Sequence, residues 1–277
     1  MRTIDVNLIK NAVKSGFLEI CVNADKEIED ALKDAAKTAP PLAAFELGIM
    51  CQNFCIARES GAPFCQDTGM ALVFCEIGQD ARLCGGSIED AVNLGVREAY
   101  AQGNFRAGVL DPLTRKNTLD NTPAVIHYEI KEGDGLTLKI MAKGFGSENM
   151  SRLFMLSPSR GEQGIIESVT ACVKEAGANP CPPVIVGVGI GGTMEKAALL
   201  SKKALFRSLN SRNEDPGLDR LEKTICDEIN KLNIGAGGYG GVSALKVCIE
   251  KYPTHIAGLP VAVTVQCHAA RHKIINL

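Results

Sequence analysis

Three of the eleven cysteines in this chain stand where a thiol could do chemistry. Cys65 lies in the polar segment Pro-Phe-Cys-Gln-Asp-Thr-Gly, Cys181 in Asn-Pro-Cys-Pro-Pro, and Cys267 opens Cys-His-Ala-Ala-Arg-His. All three fall at predicted strand–loop junctions, from which a side chain can be aimed into a cleft. The proline after Cys181 also follows one ligand of the ferredoxin pattern. Three thiolates on rigid turns can hold a cubane iron–sulfur cluster and leave its fourth iron open as a Lewis acid. Their wide separation matches no compact ligand motif, so spacing leaves this reading beside a bland one, in which free cysteines are small buried hydrophobes. The bland reading is the expectation for Cys21, Cys51, Cys55, Cys75, Cys84, Cys172, Cys226 and Cys248, which sit in apolar, periodic surroundings.

Other groups could act on a small anion. Asp67 could carry a proton, although Asp-Thr-Gly is also an ordinary Asx-turn. Arg106, Arg115 and Lys116 lie in a long polar stretch, and arginine grips carboxylates with a two-pronged fork; a solvated loop is the plain reading. His255, framed by prolines in Tyr-Pro-Thr-His-Ile-Ala-Gly-Leu-Pro, suits a positioned donor or a satisfied loop residue. His127 reads as structural within a strand, and His268 and His272 as surface groups. Gly187, Gly189 and Gly192 match the dinucleotide fingerprint, but the second strand with its acidic residue is missing, so a tight strand–helix turn is the better reading.

The elements that must place these groups are legible in outline. Apolar residues recur at helical spacing over 5–59, with Pro40-Pro41 as a break. The spacing predicts helices over 87–101 (capped by Ser87), 160–176, 193–209, 217–232 and 242–250, and strands over 71–77, 183–190 and 259–267. Segments 124–130 and 136–144 flank Gly133-Asp134-Gly135 and predict a hairpin. The stretch 104–123 has no apolar face and reads as a functional loop. This mixture implies an α+β fold, mostly helical with small mixed or antiparallel sheets. The chain reads as one domain over 1–277, with room for two lobes and no linker.

Composition narrows the function. The 277 residues are 45% hydrophobic and carry a net charge of −2, so no basic field favours nucleic acid or an anionic membrane. Trp is absent and aromatics make up 5%, which argues against a base-stacking platform. No apolar run approaches the length of a membrane span. The N-terminus lacks the pattern of a secretion signal, so a cytoplasmic protein is the expectation.

Taken together, CQDTG, DPLTRKNTLDNTP, KGFGSENM, NPCPP, GVGIGG, PTHIAGLPVAV and CHAARH resemble the class I fumarase/tartrate dehydratase α-subunit type, over residues from about 40 to 272. The resemblance implies that family's N-terminal-domain fold and an oxygen-sensitive [4Fe-4S] cluster on Cys65, Cys181 and Cys267. It implies substrate contacts from Gln66, Asp67, Arg106 and Gly144, with His255 and Asp67 as catalytic candidates. Phe145 stands where family members often carry a glycine. The chain stops ten residues after Cys267, whereas single-chain members continue into a second domain. The expectation is therefore the α subunit of a two-chain hydro-lyase, completed by a β subunit in a symmetric αβ oligomer. Fumarate/(S)-malate is the first substrate reading and L-tartrate the alternative. An electron-transfer iron–sulfur protein is a rival that would want four protein ligands per cluster.

Overall fold

A computed structural model describes residues 2–277. In chain order its elements are β1 (Arg2–Asp5), α1 (Val6–Val22), α2 (Lys26–Thr38), α3 (Pro41–Ser60), β2 (Met70–Gly78), β3 (Ala81–Cys84), α4 (Ile88–Gln102), β4 (Val125–Lys131) and β5 (Leu136–Lys143). Then follow α5 (Phe145–Glu148), β6 (Arg152–Leu156), α6 (Gly161–Ala176), β7 (Val184–Gly191), α7 (Met194–Ala204), α8 (Pro216–Lys231), β8 (Ala244–Tyr252), β9 (Leu259–Gln266) and β10 (His272–Asn276). Helices exceed strands, and both four-stranded sheets are mixed, which is the α+β fold expected. No helix of the described residues is long and apolar enough to cross a membrane. Two compact units form, the first from Met1–Asp25, Asn53–Phe145 and Arg271–Leu277, the second from Lys26–Gln52 and Gly146–Ala270.

The first unit is built on a sheet of order β10-β5-β2-β4. Helix α1 starts where the Asp5 carboxylate accepts the Asn7 N–H, and α4 where Ser87 Oγ accepts the Asp90 N–H. The apolar stripe Ile9, Val13, Phe17 and Ile20 of α1 shares a core with Val92 and Val96 of α4 and with Val73, Leu138 and Ile140 of the sheet. The expected hairpin between β4 and β5 does not form. Strand β2 lies between them, parallel to β4 and antiparallel to β5. The Gly133–Gly135 turn instead bonds the end of β2, with Gly78 N–H donating to the Gly135 carbonyl and Asp80 N–H to that of Gly133. Local turn chemistry identified the two strands; partner choice went to β2, whose buried run fills the sheet's middle.

The second unit is built on a sheet of order β6-β9-β7-β8. The expected helix over 242–250 is strand β8, parallel to β7. A short apolar run does not distinguish helix from buried strand, and here α7 and α8 both pack on β8. Strands β1, β6 and β10, short and partly exposed, escaped the sequence reading. The fingerprint glycines serve close packing: a Cβ on Gly187 would stand 2.1 Å from the Ser201 carbonyl oxygen, and one on Gly189 2.0 Å from that of Ala197. Helix α7 therefore lies flush on β7, and no nucleotide is needed to explain the motif. Gly189→Ala is expected to cost at least ~2 kcal/mol by overpacking, read as a lower urea midpoint. Gly135→Ala, with nothing within 4 Å of the new methyl, is expected to stay within about 0.5 kcal/mol of wild type. Equal midpoints for the two variants would refute this account.

Candidate functional site

In the first unit the loop before β2 carries Cys65, Gln66 and Asp67. It is anchored from below: Phe64 N–H donates to the Cys21 carbonyl at the end of α1 (3.1 Å), and buried Tyr100 Oη donates to the carbonyls of Thr68 and Gly69 at 2.7 and 3.1 Å. Cys65 and Asp67 are half-buried and Gln66 is exposed. The Asp67 carboxylate makes the expected Asx-turn, accepting the Gly69 N–H on Oδ1 (3.0 Å). Its Oδ2 accepts the Phe145 N–H (2.7 Å), which ties this loop to the Gly144–Phe145 turn. Phe145 thus keeps the backbone donor that a glycine would supply. Its φ is not positive, and its ring points outward, 47% of the residue exposed. Gly144 itself is buried, and a Cβ there would lie 3.1 Å from Asp67 Oδ2 and 3.3 Å from Arg271 Nη2.

The polar stretch after α4 is ordered by its own side chains. Asp111 accepts the Leu113 and Thr114 N–H groups, and fully buried Asn121 accepts the Gly108 N–H while donating to the Gly69 carbonyl. Thr68 Oγ1 donates to the Arg106 carbonyl (2.7 Å), so Arg106 is set beside the Cys65–Asp67 loop. The Arg106 side chain is exposed and forms no ion pair among the described residues. Arg115 and Lys116, also exposed, sit farther along at the turn that closes the loop between Leu110 and Asn117.

In the second unit Cys181 precedes β7 and Cys267 follows β9, and the antiparallel register of those strands, Ile185 opposite Gln266, brings them to one end of the sheet. Cys181 is exposed and left-handed (φ 54°), a conformation unusual for a side-chain-bearing residue. His268 N–H and its ring Nδ1 both bond the Cys181 carbonyl, at 3.5 and 2.9 Å. This histidine, read from sequence as a surface group, is a half-buried clamp between the two cysteine turns. Burial pushes its imidazole below the ordinary value, partly offset by the Cys181 carbonyl and by Glu46 of α3. Gln266, buried, donates Nε2–H to Cys267 Sγ at 3.5 Å.

His255 is placed apart from these thiols within the same unit. It sits before β9, on a turn where Ala257 N–H donates to its Nδ1 and Thr254 Oγ1 donates to the Gly192 carbonyl just past β7. Cys267 lies beyond the far end of β9, eight residues long, so roughly 25 Å of strand separates the two. One copy of this unit does not bring His255 to Cys181 and Cys267.

The donor set suits an iron–sulfur cluster. A ligand must be a thiolate, and burial raises Cys21, Cys172 and Cys226 to about 11 and Cys75 and Cys248 to about 12. Of those five, Cys21, Cys75, Cys172 and Cys248 are buried, as expected, and Cys226 is half-buried. Cys55 is exposed and Cys51 and Cys84 half-buried, contrary to the expectation that they are core residues; α3 turns Cys55 outward. Cys65, Cys181 and Cys267 are left on turns, the last with an amide donor on its sulfur, and hydrogen bonds to cluster sulfurs are a normal feature of such sites. None of the eleven cysteines forms a disulfide. Among the described residues no three His, Cys, Asp or Glu side chains converge on a single-ion position, whereas a cubane takes one thiolate at each of several separate irons.

The chain belongs to the fumarate hydratase (Fumerase) family, whose model matches residues 10–276, and so to the hydro-lyases of the fumarate hydratase/tartrate dehydratase α-subunit group. Among relatives, a Methanocaldococcus jannaschii protein named "Putative L(+)-tartrate dehydratase subunit alpha" is 39% identical over 274 residues, 96% of each chain. The L(+)-tartrate dehydratase subunit alpha of Escherichia coli K12 is 33% identical over 227 residues, covering 80% of this chain and 75% of its own.

Proposed function

We propose that this chain is the α subunit of a [4Fe-4S]-dependent hydro-lyase that removes water from L-tartrate, completed by a β subunit. The observation that carries this reading is the likeness to proteins named as tartrate dehydratase α subunits, over 96% of this chain in one case and 80% in the other. Fumarate/(S)-malate is the second reading, favoured by the description of the family model.

Dehydrating a 2-hydroxy dicarboxylate requires gripping two carboxylates, removing a weakly acidic C–H proton and helping a hydroxide to leave. A cluster held by Cys65, Cys181 and Cys267 would supply Lewis acidity toward the leaving hydroxyl. Arg106, beside the loop and with no ion pair among the described residues, would take a substrate carboxylate on its planar fork. Gln66 would add a hydrogen bond from its exposed amide. The Gly144 turn, held by Asp67, would let substrate approach the backbone closely. Asp67 is the candidate for proton transfer at the leaving oxygen; its two backbone bonds fix its position and leave each oxygen a further lone pair. His255 enters as a catalytic candidate on the family resemblance, and His255→Asn is expected to leave cluster iron unchanged.

The substrate reading is tested by anaerobic co-expression with the partner subunit and assay of both tartrate enantiomers, malate and fumarate. A kcat/KM for L-tartrate above that for malate is expected; the reverse order would replace tartrate by malate in the proposal. Arg106→Lys is expected to keep full cluster iron and lose about 10- to 100-fold in kcat/KM, the equivalent of one charged hydrogen bond. Unchanged kinetics would remove Arg106 from the site.

A further inference from the structure

The Arg271 side chain is buried (2% of the residue exposed), and two of its nitrogens, Nε and Nη1, have no hydrogen-bond partner among the described residues. An unpaired buried cation is costly, because its hydration is lost and nothing local replaces it. What surrounds it is specific. Its Cζ lies 5.9 Å from the centroid of Phe64, the residue before Cys65, within cation–π range. Its Nη2 and Asp67 Oδ2 both face Gly144, 3.3 and 3.1 Å from where a Cβ on that glycine would stand. The Arg271 carbonyl accepts the Ala142 N–H, which fixes the residue to β5 just before that turn. The Cys21 thiol beneath the loop feels both Arg271 and Cys65, in opposite senses, so the three share one electrostatic neighbourhood. Lys143, the other buried cation here, is accounted for: its Nζ donates to the Gly144 carbonyl (3.1 Å).

We infer that Arg271 is a positioning residue, a fixed positive charge beneath the Cys65–Asp67 loop that offsets the negative charge of Cys65 as an iron ligand and of Asp67, and holds that loop against the Gly144–Phe145 turn. The inference rests on the iron–sulfur reading above. Arg271 is too enclosed to touch substrate and acts through the groups that do. Its unpartnered N–H groups make physical sense as stabilisers of negative charge that appears when Cys65 is a ligated thiolate.

The test uses the full chain purified anaerobically with its cluster. Wild-type iron content first checks the cluster reading itself: absence of iron there defeats that reading and leaves Arg271 without a role. In cluster-loaded protein, Arg271→Met is expected to move the cluster's midpoint potential in the negative direction, because the extra electron loses a nearby positive charge. It is also expected to speed iron loss to a chelator about 10- to 100-fold, the range typical of outer-shell changes at metal sites. Arg271→Lys keeps the charge without the fork, so its potential should stay near wild type while iron loss still quickens. A Met variant with wild-type potential overturns the electrostatic role. Should that variant not fold, the Lys variant decides: wild-type iron retention in it overturns the positioning role.

Discussion

Alanine at any one of Cys65, Cys181 or Cys267 is expected to reduce cluster iron and the associated charge-transfer absorbance to background, while alanine at Cys172 or Cys226 is expected to leave both unchanged. The difference follows from thiol environment. Cys172 and Cys226 are raised to about 11 by burial, so at neutral pH they are thiols and poor ligands. The three proposed ligands occupy turns with local support: the Cys21 carbonyl holds Phe64, His268 holds Cys181, and Gln266 donates to the Cys267 sulfur. With only two thiolates left the cluster would lose one corner's anchor, and no other described cysteine is held in a comparable turn. Iron content, measured anaerobically with sulfide alongside it, is the check. Full iron in all three alanine variants would defeat the ligand assignment and, with it, the iron-dependent part of the proposed function.

The second large effect expected is that this chain alone, even with its cluster, dehydrates tartrate or malate at least ~10²-fold more slowly than with the β subunit added, the low end of what a missing acid–base group costs. The residues placed near the Cys65–Asp67 loop set this expectation. Among the described residues, Arg106 is the exposed cation hydrogen-bonded through its backbone to this loop, Arg115 and Lys116 sit farther along the stretch, and Arg271 and Lys143 are buried. Asp67 is the one carboxylate the loop presents, and both its oxygens already accept backbone N–H groups. A base for the C–H proton has no comparably framed candidate there, and His255 stands at the other end of β9 from Cys267. The measurement is a titration: fixed cluster-loaded chain, increasing β subunit, initial rate of dehydration. A rate already maximal before any β subunit is added would show that the site is complete in this chain.

Much of this site was legible residue by residue. The cysteine turns, Asp67, Arg106 and the glycine turn are carried by short segments whose types are unusual wherever they lie, and the structure sets four of the first unit's candidates, Cys65, Asp67, Arg106 and Gly144, around one loop. Nothing local marks His268, because a histidine in a polar terminal stretch looks solvated; its value lies in bonding a carbonyl 87 residues away. Nothing local marks Arg271 either. An arginine after two alanines gives no sign of burial, and its place is set by strand β10 joining β5 from the end of the chain.

The sequence by itself determined what is encoded within a few residues: helix starts at Asp5 and Ser87, the buried runs of β2, β7 and β9, the Asx-turn at Asp67, and the turn settings of Cys65, Cys181 and Cys267. Tertiary structure decided everything that depends on which surfaces meet. It placed β2 between the two strands that a glycine turn joins, and made 244–252 a strand under two helices rather than a helix. It gave the fingerprint glycines a packing role, and set Cys181 beside Cys267 through the antiparallel pairing of β7 with β9 while leaving His255 at the other end. The reason is physical. Capping, turn and propensity terms act between near neighbours in the chain, whereas strand pairing and burial are settled by desolvation summed over partners far apart in sequence, and those partners are not written in any local pattern.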